Sequence, residues 1–192
     1  MGRELEYKYA STEEVQAELL KTYGNFQQIQ METTYYDTPD RRLSAAHMTL
    51  RLRKENEEIV CTLKTPLPDG SRGEWECNAT DIEGGIAKLL SLGAPAALKT
   101  LTAGGVEPTC GARFTRQFTL VPTADGTAEL ALDKGILLGG GRQIPLCEVE
   151  IEQKSGSDAA TAALAAQIAH LYGLSQEPYS KFRRARALEK GE

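Results

Sequence analysis

The sequence has 192 residues, of which 41% are hydrophobic and 26% are charged, with a formal net charge of −5. This composition excludes a disordered or fibrous chain, and the negative charge argues against a nucleic-acid partner. No apolar run approaches the roughly 20 residues that cross a bilayer, and the N-terminus lacks the apolar stretch of a secretory signal. We therefore expect a cytoplasmic protein with no membrane partner.

Strands joined by short turns, with helices at intervals, are predicted along the chain. Alternation predicts strands over residues 2–9, 27–37, 47–54, 58–65, 72–78, 112–121, 127–134 and 144–153. Helices are predicted over about 11–24, 81–91, 95–103 and 157–173, with a last helical segment after residue 178. About eight strands connected mostly by hairpins could close into a barrel or form an open sandwich, and periodicity alone does not choose between them.

Cysteine and histidine usage excludes several kinds of site. Cys61, Cys77, Cys110 and Cys147 are scattered singly, with no CxxC pair, which indicates reduced core cysteines rather than disulfides or zinc ligands. The chain has only two histidines, so a histidine nucleophile or a histidine-rich metal site is not expected.

Charged residues alternate with apolar residues along several of the predicted strands. Residues at positions i and i+2 of a strand share a face, so Arg51 and Arg53 lie together, as do Glu148 and Glu150. In a single strand this pattern indicates one solvated face. Across the chain, however, carboxylates and cations form separable groups. If these faces point inward, their charges need partners, and a polyanion bridged by hard cations would supply them.

The charged positions fall within a series of short motifs that runs through the whole chain. The motifs are Glu4-Leu5-Glu6-Tyr7-Lys8, Tyr35-Tyr36-Asp37-Thr38-Pro39-Asp40, Leu50-Arg51-Leu52-Arg53, Thr62-Leu63-Lys64, Arg72-Gly73-Glu74, Phe114-Thr115-Arg116, Ala131-Leu132-Asp133-Lys134-Gly135, Cys147-Glu148-Val149-Glu150-Ile151-Glu152 and Ser180-Lys181-Phe182-Arg183-Arg184. With these motifs the sequence resembles the CYTH superfamily, or triphosphate tunnel metalloenzymes. The resemblance implies an α+β fold with a closed eight-stranded antiparallel β-barrel, surrounded by helices, as a single domain over residues 1–192.

The resemblance also implies roles for the charged residues. The implied metal ligands, for two Mg²⁺ or Mn²⁺ ions, are Glu4, Glu6, Asp133, Glu148 and Glu150. The implied triphosphate-binding residues are Lys8, Arg51, Arg53, Lys64, Arg72, Arg116, Lys181 and Arg184. The expected catalytic set is Glu4, Glu6, Lys8, Arg51, Arg53, Lys64, Arg116 and Lys181. Arg113 is expected to face away from Arg116, and Arg183 and Arg186 are expected to face solvent.

The resemblance is strongest to bacterial inorganic triphosphatases. It implies divalent-metal-dependent hydrolysis of tripolyphosphate, a small-molecule substrate, to pyrophosphate and phosphate by a monomer or homodimer. The alternatives are a thiamine or nucleoside triphosphatase, a class IV-type adenylyl cyclase that makes cyclic AMP and pyrophosphate, and a non-catalytic polyphosphate-binding module. The sequence shows no Ser/His/Asp or Cys/His arrangement, which agrees with a reaction that needs no side-chain nucleophile.

Overall fold

The structure, a computed structural model, describes residues 2–3, 5–67 and 72–190. Its strands are β1 (Gly2–Arg3), β2 (Glu6–Ala10), β3 (Gln27–Asp37), β4 (Thr49–Glu55), β5 (Glu58–Pro66), β6 (Arg72–Asn78), β7 (Glu107–Pro122), β8 (Thr127–Gly139), β9 (Arg142–Ser155) and β10 (Ser175–Gln176). Its α-helices are α1 (Glu13–Tyr23), α2 (Arg42–Ala45), α3 (Ile82–Ser91), α4 (Ala97–Leu101), α5 (Asp158–Leu171) and α6 (Lys181–Lys190).

The described strands form one antiparallel sheet in the order β1-β6-β5-β4-β3-β7-β8-β9-β2-β10. The α+β class is therefore confirmed, but the prediction of a closed eight-stranded barrel is wrong. The sheet has ten strands, and no pairing within the described residues joins β1 to β10. Alternating polarity shows which face of a strand is polar, and this pattern is the same in an open and a closed sheet.

The largest differences from the predicted elements lie in strands β7 and β8. Strand β7 begins at Glu107 rather than at residue 112, and β8 runs to Gly139 rather than to residue 134. Strands β8 and β9 meet at a turn formed by Gly140 and Gly141, which have φ values of 56° and 72°. Positive φ values at both central residues favour glycine in a two-residue hairpin turn. The sequence prediction ended β8 too early, because Gly135 and Gly139 within it are typical turn residues. Helix α2 and strand β10 were also missed.

Two layers of helices cover the outer face of the sheet. On one side, α1 and α5 pack on β2, β8 and β9, and Leu19 and Ile168 are buried against Val149. On the other side, α3 and α4 pack on β4, β5 and β6, where Leu63 and Leu89 are fully buried. No helix within the described part of the chain is both long enough and apolar enough to cross a membrane. These two layers leave the opposite face of the sheet for polar side chains.

Helix α6 packs on that opposite, inner face of the sheet. Ala185 and Leu188 are buried against Ala112 of β7 and Leu137 of β8. The approach is close, since a Cβ atom at Gly139 would lie 2.1 Å from the carbonyl oxygen of Ala185. A residue without a side chain is therefore required at Gly139, and α6 closes off part of the inner face.

The four cysteines are free, as predicted. Cys61, Cys77 and Cys110 are buried, whereas Cys147 is partly exposed. Burial raises the pKa of the Cys61 thiol to about 12, so this residue is poorly nucleophilic at neutral pH.

Candidate functional site

The inner face of the sheet encloses a cavity of about 350 Å³. Side chains from strands β2 to β9 and from α6 line it. Its charged lining residues are Glu6, Lys8, Arg51, Arg53, Glu55, Lys64, Arg72, Glu74, Glu76, Arg116, Glu129, Glu150, Glu152, Lys154 and Lys181. The strand alternation therefore places most of the predicted site residues around one space.

Three of the predicted metal ligands form one cluster, which we call the carboxylate cluster: Asp133, Glu148 and Glu150. Asp133 and Glu148 face each other across β8 and β9, and Glu150 follows on the same face of β9. Asp133 and Glu148 have no exposed surface, and Glu150 is 8% exposed. One carboxylate oxygen from each residue lies within 4.8 Å of the others, and such a set of hard oxygen donors fits a divalent cation.

Basic side chains surround the carboxylate cluster. The Lys181 ammonium lies 2.8 Å from Asp133 Oδ2 and 2.6 Å from both Glu148 Oε2 and Glu150 Oε1. Arg116 donates through Nε and Nη2 to the two oxygens of Asp133, at 2.8 and 2.7 Å, and also pairs with Glu150. Arg184 pairs with Glu148. Lys181 thus takes the position of a cation shared by all three carboxylates, and a metal ion bound by all three would have to displace it.

The pKa values in this cluster follow from burial and from these ion pairs. Burial disfavours the charged form of Glu150, but Lys181 and Arg116 outweigh it and hold the pKa of this carboxyl well below its usual range. Burial likewise lowers the pKa of Lys181, but Asp133 and Glu150 reverse this effect and raise it. Glu150 and Lys181 are therefore charged at neutral pH, and each favours the charged form of the other.

Gln16 of α1 fixes the main chain behind the carboxylate cluster. Its Nε2 donates to the backbone carbonyl oxygens of Asp133, at 3.1 Å, and Glu148, at 2.9 Å. The side chain is buried and bridges β8 and β9 where they carry two of the three carboxylates. The sequence analysis missed this residue, because a glutamine in a helix gives no local signal of a distant partner.

The predicted phosphate ligands of β4, β5 and β6 lie on another side of the cavity. We call Arg51, Arg53, Lys64 and Arg72 the cation wall. Arg51 lies 3.8 Å from Glu74 and 3.7 Å from Glu76, and Lys64 lies 3.5 Å from Glu74. These ion pairs are longer than those of the carboxylate cluster. Turning Arg51 and Lys64 toward a bound anion would therefore break longer ion pairs to Glu74 and Glu76 than those of the carboxylate cluster.

Arg53 and Arg72, the other two residues of the cation wall, have different partners. Arg53 donates through Nε to Glu55 at 2.6 Å, and burial, together with nearby Arg51, lowers the pKa of its guanidinium. Arg72 is exposed and reaches the carbonyl oxygen of His47 and the hydroxyl of Thr49 at 3.5 and 3.4 Å, which are long for hydrogen bonds.

Strand β2 brings the N-terminal motif to the cavity. Lys8 faces Glu150 and Glu6 faces Glu152 across the β2–β9 pairing. Burial lowers the pKa of the Lys8 ammonium, although the carboxylates of Glu6 and Glu150 oppose this effect. Glu6 lines the cavity but does not belong to the carboxylate cluster. The remaining predicted ligand, Glu4, lies outside the described residues.

Several charged residues of the cavity were not predicted, among them Glu129 and Lys154. Glu129 of β8 lies 3.7 Å from Arg116 and 3.5 Å from Lys154 of β9. The sequence could have indicated Glu129, because this residue lies four positions before Asp133 and therefore on the same face of the strand. Arg113 points to the outer face, as predicted, and pairs with Glu32 at 2.9 Å.

An apolar strip completes the cavity wall along β3 and β7. It consists of Ile29, Met31, Phe114 and Phe118. Tyr35 continues the same face of β3 and its ring lies 5.0 Å from that of Phe182 on α6. The site therefore combines the cation wall, a neutral strip and Glu150 of the carboxylate cluster in one cavity. Together they define a class of protein that can hold a multiply charged anion beside a metal cation.

Comparison with known proteins assigns the family. The CYTH domain model matches residues 2–185, and the chain belongs to the CYTH domain family. It is 31% identical over 164 residues to an inorganic triphosphatase from Haemophilus influenzae, an alignment that covers 82% of this chain. The chain spans about half, 47%, of the length of that relative.

Solved structures share the fold. A candidate adenylate cyclase from Bacillus halodurans superimposes with a TM-score of 0.68 at 24% identity, covering 96% of this chain and 98% of that one. A Hippeastrum protein, a candidate adenylyl cyclase described as having a dominant triphosphatase activity, gives a TM-score of 0.66 at 17% identity, covering 98% of this chain and 97% of that one. At these identities the likeness extends to the fold alone.

Proposed function

We propose that this chain hydrolyses inorganic triphosphate to pyrophosphate and phosphate with the help of a divalent cation. The observation that carries the proposal is the cavity of about 350 Å³, which the cation wall and Glu150 of the carboxylate cluster line from different strands. A compact polyanion with a hard cation matches both charge groups. The Haemophilus influenzae relative, which is named an inorganic triphosphatase, supports the same reaction.

In this proposal the cation wall binds the substrate. Arg51, Arg53, Lys64 and Arg72 take the phosphate oxygens, the arginines through their planar forks and the lysine as a point charge. Lys8, Arg116, Lys181 and Arg184 add positive charge from β2, β7 and α6. Together they stabilise the negative charge that develops on the transferred phosphoryl group and the leaving pyrophosphate.

The carboxylates hold the cation and orient water. Asp133, Glu148 and Glu150 would hold an Mg²⁺ or Mn²⁺ ion through oxygen in the place of the Lys181 ammonium, which would then turn to the phosphate oxygens. Glu6, which lines the cavity, would contribute to the site of the second proposed ion. When bound, the metal supplies Lewis-acid stabilisation of the phosphate oxygens. Glu6 accepts a hydrogen bond from the attacking water and orients it for in-line displacement. Glu4 of the same motif is included in the proposal on the motif alone.

A triphosphate that carries an organic group is the second candidate substrate. The apolar strip favours it, because Ile29 and Phe118 can pack against a base or ring that phosphate ligands would leave uncovered. This candidate includes thiamine or nucleoside triphosphate hydrolysis. It also includes cyclisation of ATP with release of pyrophosphate, as in an adenylyl cyclase.

The test compares tripolyphosphate, ATP and thiamine triphosphate as substrates, with Mg²⁺ and Mn²⁺ in parallel and both phosphate and pyrophosphate measured. We expect tripolyphosphate to be preferred, and EDTA to lower its turnover by about 100-fold or more. Glu150→Gln should lose activity similarly, whereas the matched variant Glu32→Gln, on the outer face, should keep it. Full turnover in EDTA would contradict metal dependence. Cyclic AMP from ATP would replace the hydrolysis proposal with cyclisation.

A further inference from the structure

Helix α6 supplies two cations to the site and is also tied to a distant turn. Its Lys181 and Arg184 face the carboxylate cluster, whereas Arg186 reaches α2 in the turn after β3. Arg186 Nη1 lies 3.2 Å from Asp37 Oδ2 and also contacts the hydroxyl of Ser44. The prediction that Arg186 faces solvent is therefore wrong, since its side chain is 16% exposed. Arg183, by contrast, is exposed over the ring of Tyr179.

Asp37 is held rigidly by its own turn. Its Oδ1 accepts hydrogen bonds from the backbone N–H groups of Thr38, at 2.8 Å, and Leu43, at 3.0 Å. Its Oδ2 accepts from the N–H of Ser44 at 3.2 Å and from the hydroxyl of Ser44 at 2.6 Å. The carboxylate is 1% exposed. Because four donors fix it, Asp37 is an anchor whose position does not depend on Arg186.

A second pair binds α6 to the same turn. Arg41, the residue before α2, lies 2.6 Å from Glu189 Oε1 through Nη2. Glu189 in turn lies 3.3 Å from Arg186 Nε. Arg41 also lies 3.4 Å from Glu107 at the start of β7. Two ion pairs thus connect one side of α6 to a single turn.

Apart from the ion pairs of Lys181 and Arg184 at the carboxylate cluster, the remaining contacts of α6 are mostly apolar and do not by themselves fix its rotation. Phe182, Ala185 and Leu188 pack on the inner face, and such packing is non-directional. A small rotation or slide would keep much of this burial, but it would move Lys181 and Arg184 away from the carboxylates. Hydrogen-bonded ion pairs to a fixed carboxylate are directional and restrict both movements.

We infer that the Asp37–Arg186 pair positions α6, so that Lys181 and Arg184 are held at the carboxylate cluster. Arg186 and Asp37 are then positioning residues that act from outside the cavity lining. Without the pair, α6 would occupy detached positions for most of the time, about nine-tenths if KM rises tenfold. The apparent affinity for substrate would fall in proportion to the fraction of molecules whose α6 is in the competent position. The turnover rate of bound substrate would stay the same.

The test is Arg186→Met in the full chain, with Arg183→Met as the matched control on the exposed side of the same helix. Amide hydrogen exchange is measured without ligand, and KM and kcat are measured with tripolyphosphate. We expect exchange over residues 181–189 to rise about tenfold or more, with exchange in β8 and β9 unchanged. KM should rise about tenfold, while kcat should change by less than about threefold. Arg186→Lys should restore part of both, and Arg183→Met should behave as the wild type.

The kinetic part of this inference rests on the proposed function, whereas the exchange measurement does not. If the wild type turns over no triphosphate, the proposed function fails and exchange in α6 still tests the pair. Unchanged exchange in α6 of Arg186→Met would overturn the inference. A uniform rise in exchange across the sheet would also overturn the inference, because it would show that Arg186 stabilises the whole fold. An equal effect of Arg183→Met would overturn it as well.

Discussion

The two charged sides of the cavity are built differently. The carboxylate cluster and its cations form short ion pairs of 2.6–2.8 Å between Lys181 and three buried carboxylates. The cation wall forms pairs of 3.5–3.8 Å between Arg51 or Lys64 and carboxylates of β6. Removing one partner of a short buried ion pair leaves the other charge unpaired and strongly destabilises the fold, and the loss is smaller for a longer pair because the interaction weakens with distance. Charge removal should therefore affect mainly stability on the first side and mainly binding on the second.

The largest effect on stability is expected from Arg116→Met. This change leaves the buried Asp133 carboxylate without its two-point partner, and we expect a loss of about 3–5 kcal/mol in the free energy of unfolding. Urea denaturation at pH 7 measures it. Arg113→Met, on the outer face of the same strand, should change stability by less than about 0.5 kcal/mol. A loss below about 1 kcal/mol for Arg116→Met would remove the distinction between the two sides.

An intermediate effect, dependent on pH, is expected from Glu150→Gln. The pKa of Glu150 is lower in the folded chain than its ordinary value of 4.5. Its ionised form therefore stabilises the fold fully at pH values above 4.5, and this contribution is lost as the pH falls toward the pKa of the folded state. The wild type should exceed the variant in stability at pH 7, and the difference should shrink toward pH 3. Urea denaturation at several pH values measures it.

The control for this prediction is Glu76→Gln on the other side of the cavity. The Glu76 side chain is 45% exposed, so its variant should stay close to the wild type throughout. A constant difference between the wild type and Glu150→Gln from pH 7 to pH 3 would show that Glu150 acts through its shape and hydrogen bonds rather than its charge.

The smallest effect on stability is expected from Arg51→Met. Because its ion pairs with Glu74 and Glu76 are longer, we expect a smaller loss in the free energy of unfolding than for Arg116→Met. KM for tripolyphosphate should nevertheless rise about tenfold or more, because a phosphate-binding guanidinium is lost. Lys54→Met, on the outer face of the same strand, is the matched control. A large loss of stability with unchanged KM would reverse the assignment of this side to binding.

The sequence predicted much of the cavity because strand geometry is strict. Successive side chains alternate between faces, so Arg51 and Arg53, or Glu148 and Glu150, had to point the same way once their strands were recognised. The same rule placed Arg113 outside. The same rule also places Glu129 on the cavity face, but Glu129 was overlooked because Asp133 was the only residue of β8 considered.

The remaining features depend on contacts between elements that lie far apart in the chain. Gln16 bonds two backbone carbonyls of other strands, and nothing in its helix marks it. Arg186 appeared to belong to a solvated helix face, but the turn after β3 covers that face. Closure of the sheet was predicted wrongly, because strand count and polarity do not determine how the edge strands pair.

The location of α6 has a consequence for how the chain acquires its site during synthesis. Strands β8 and β9 bury Asp133 and Glu148, but the ammonium of Lys181 and the guanidinium of Arg184 belong to the helix that is made after both strands. Until α6 docks, Asp133, Glu148 and Glu150 lack the ammonium of Lys181, and Glu148 also lacks the guanidinium of Arg184. A shortened chain that stops before α6 should therefore fold poorly rather than present an accessible site, and binding experiments on such a fragment would report on its folding.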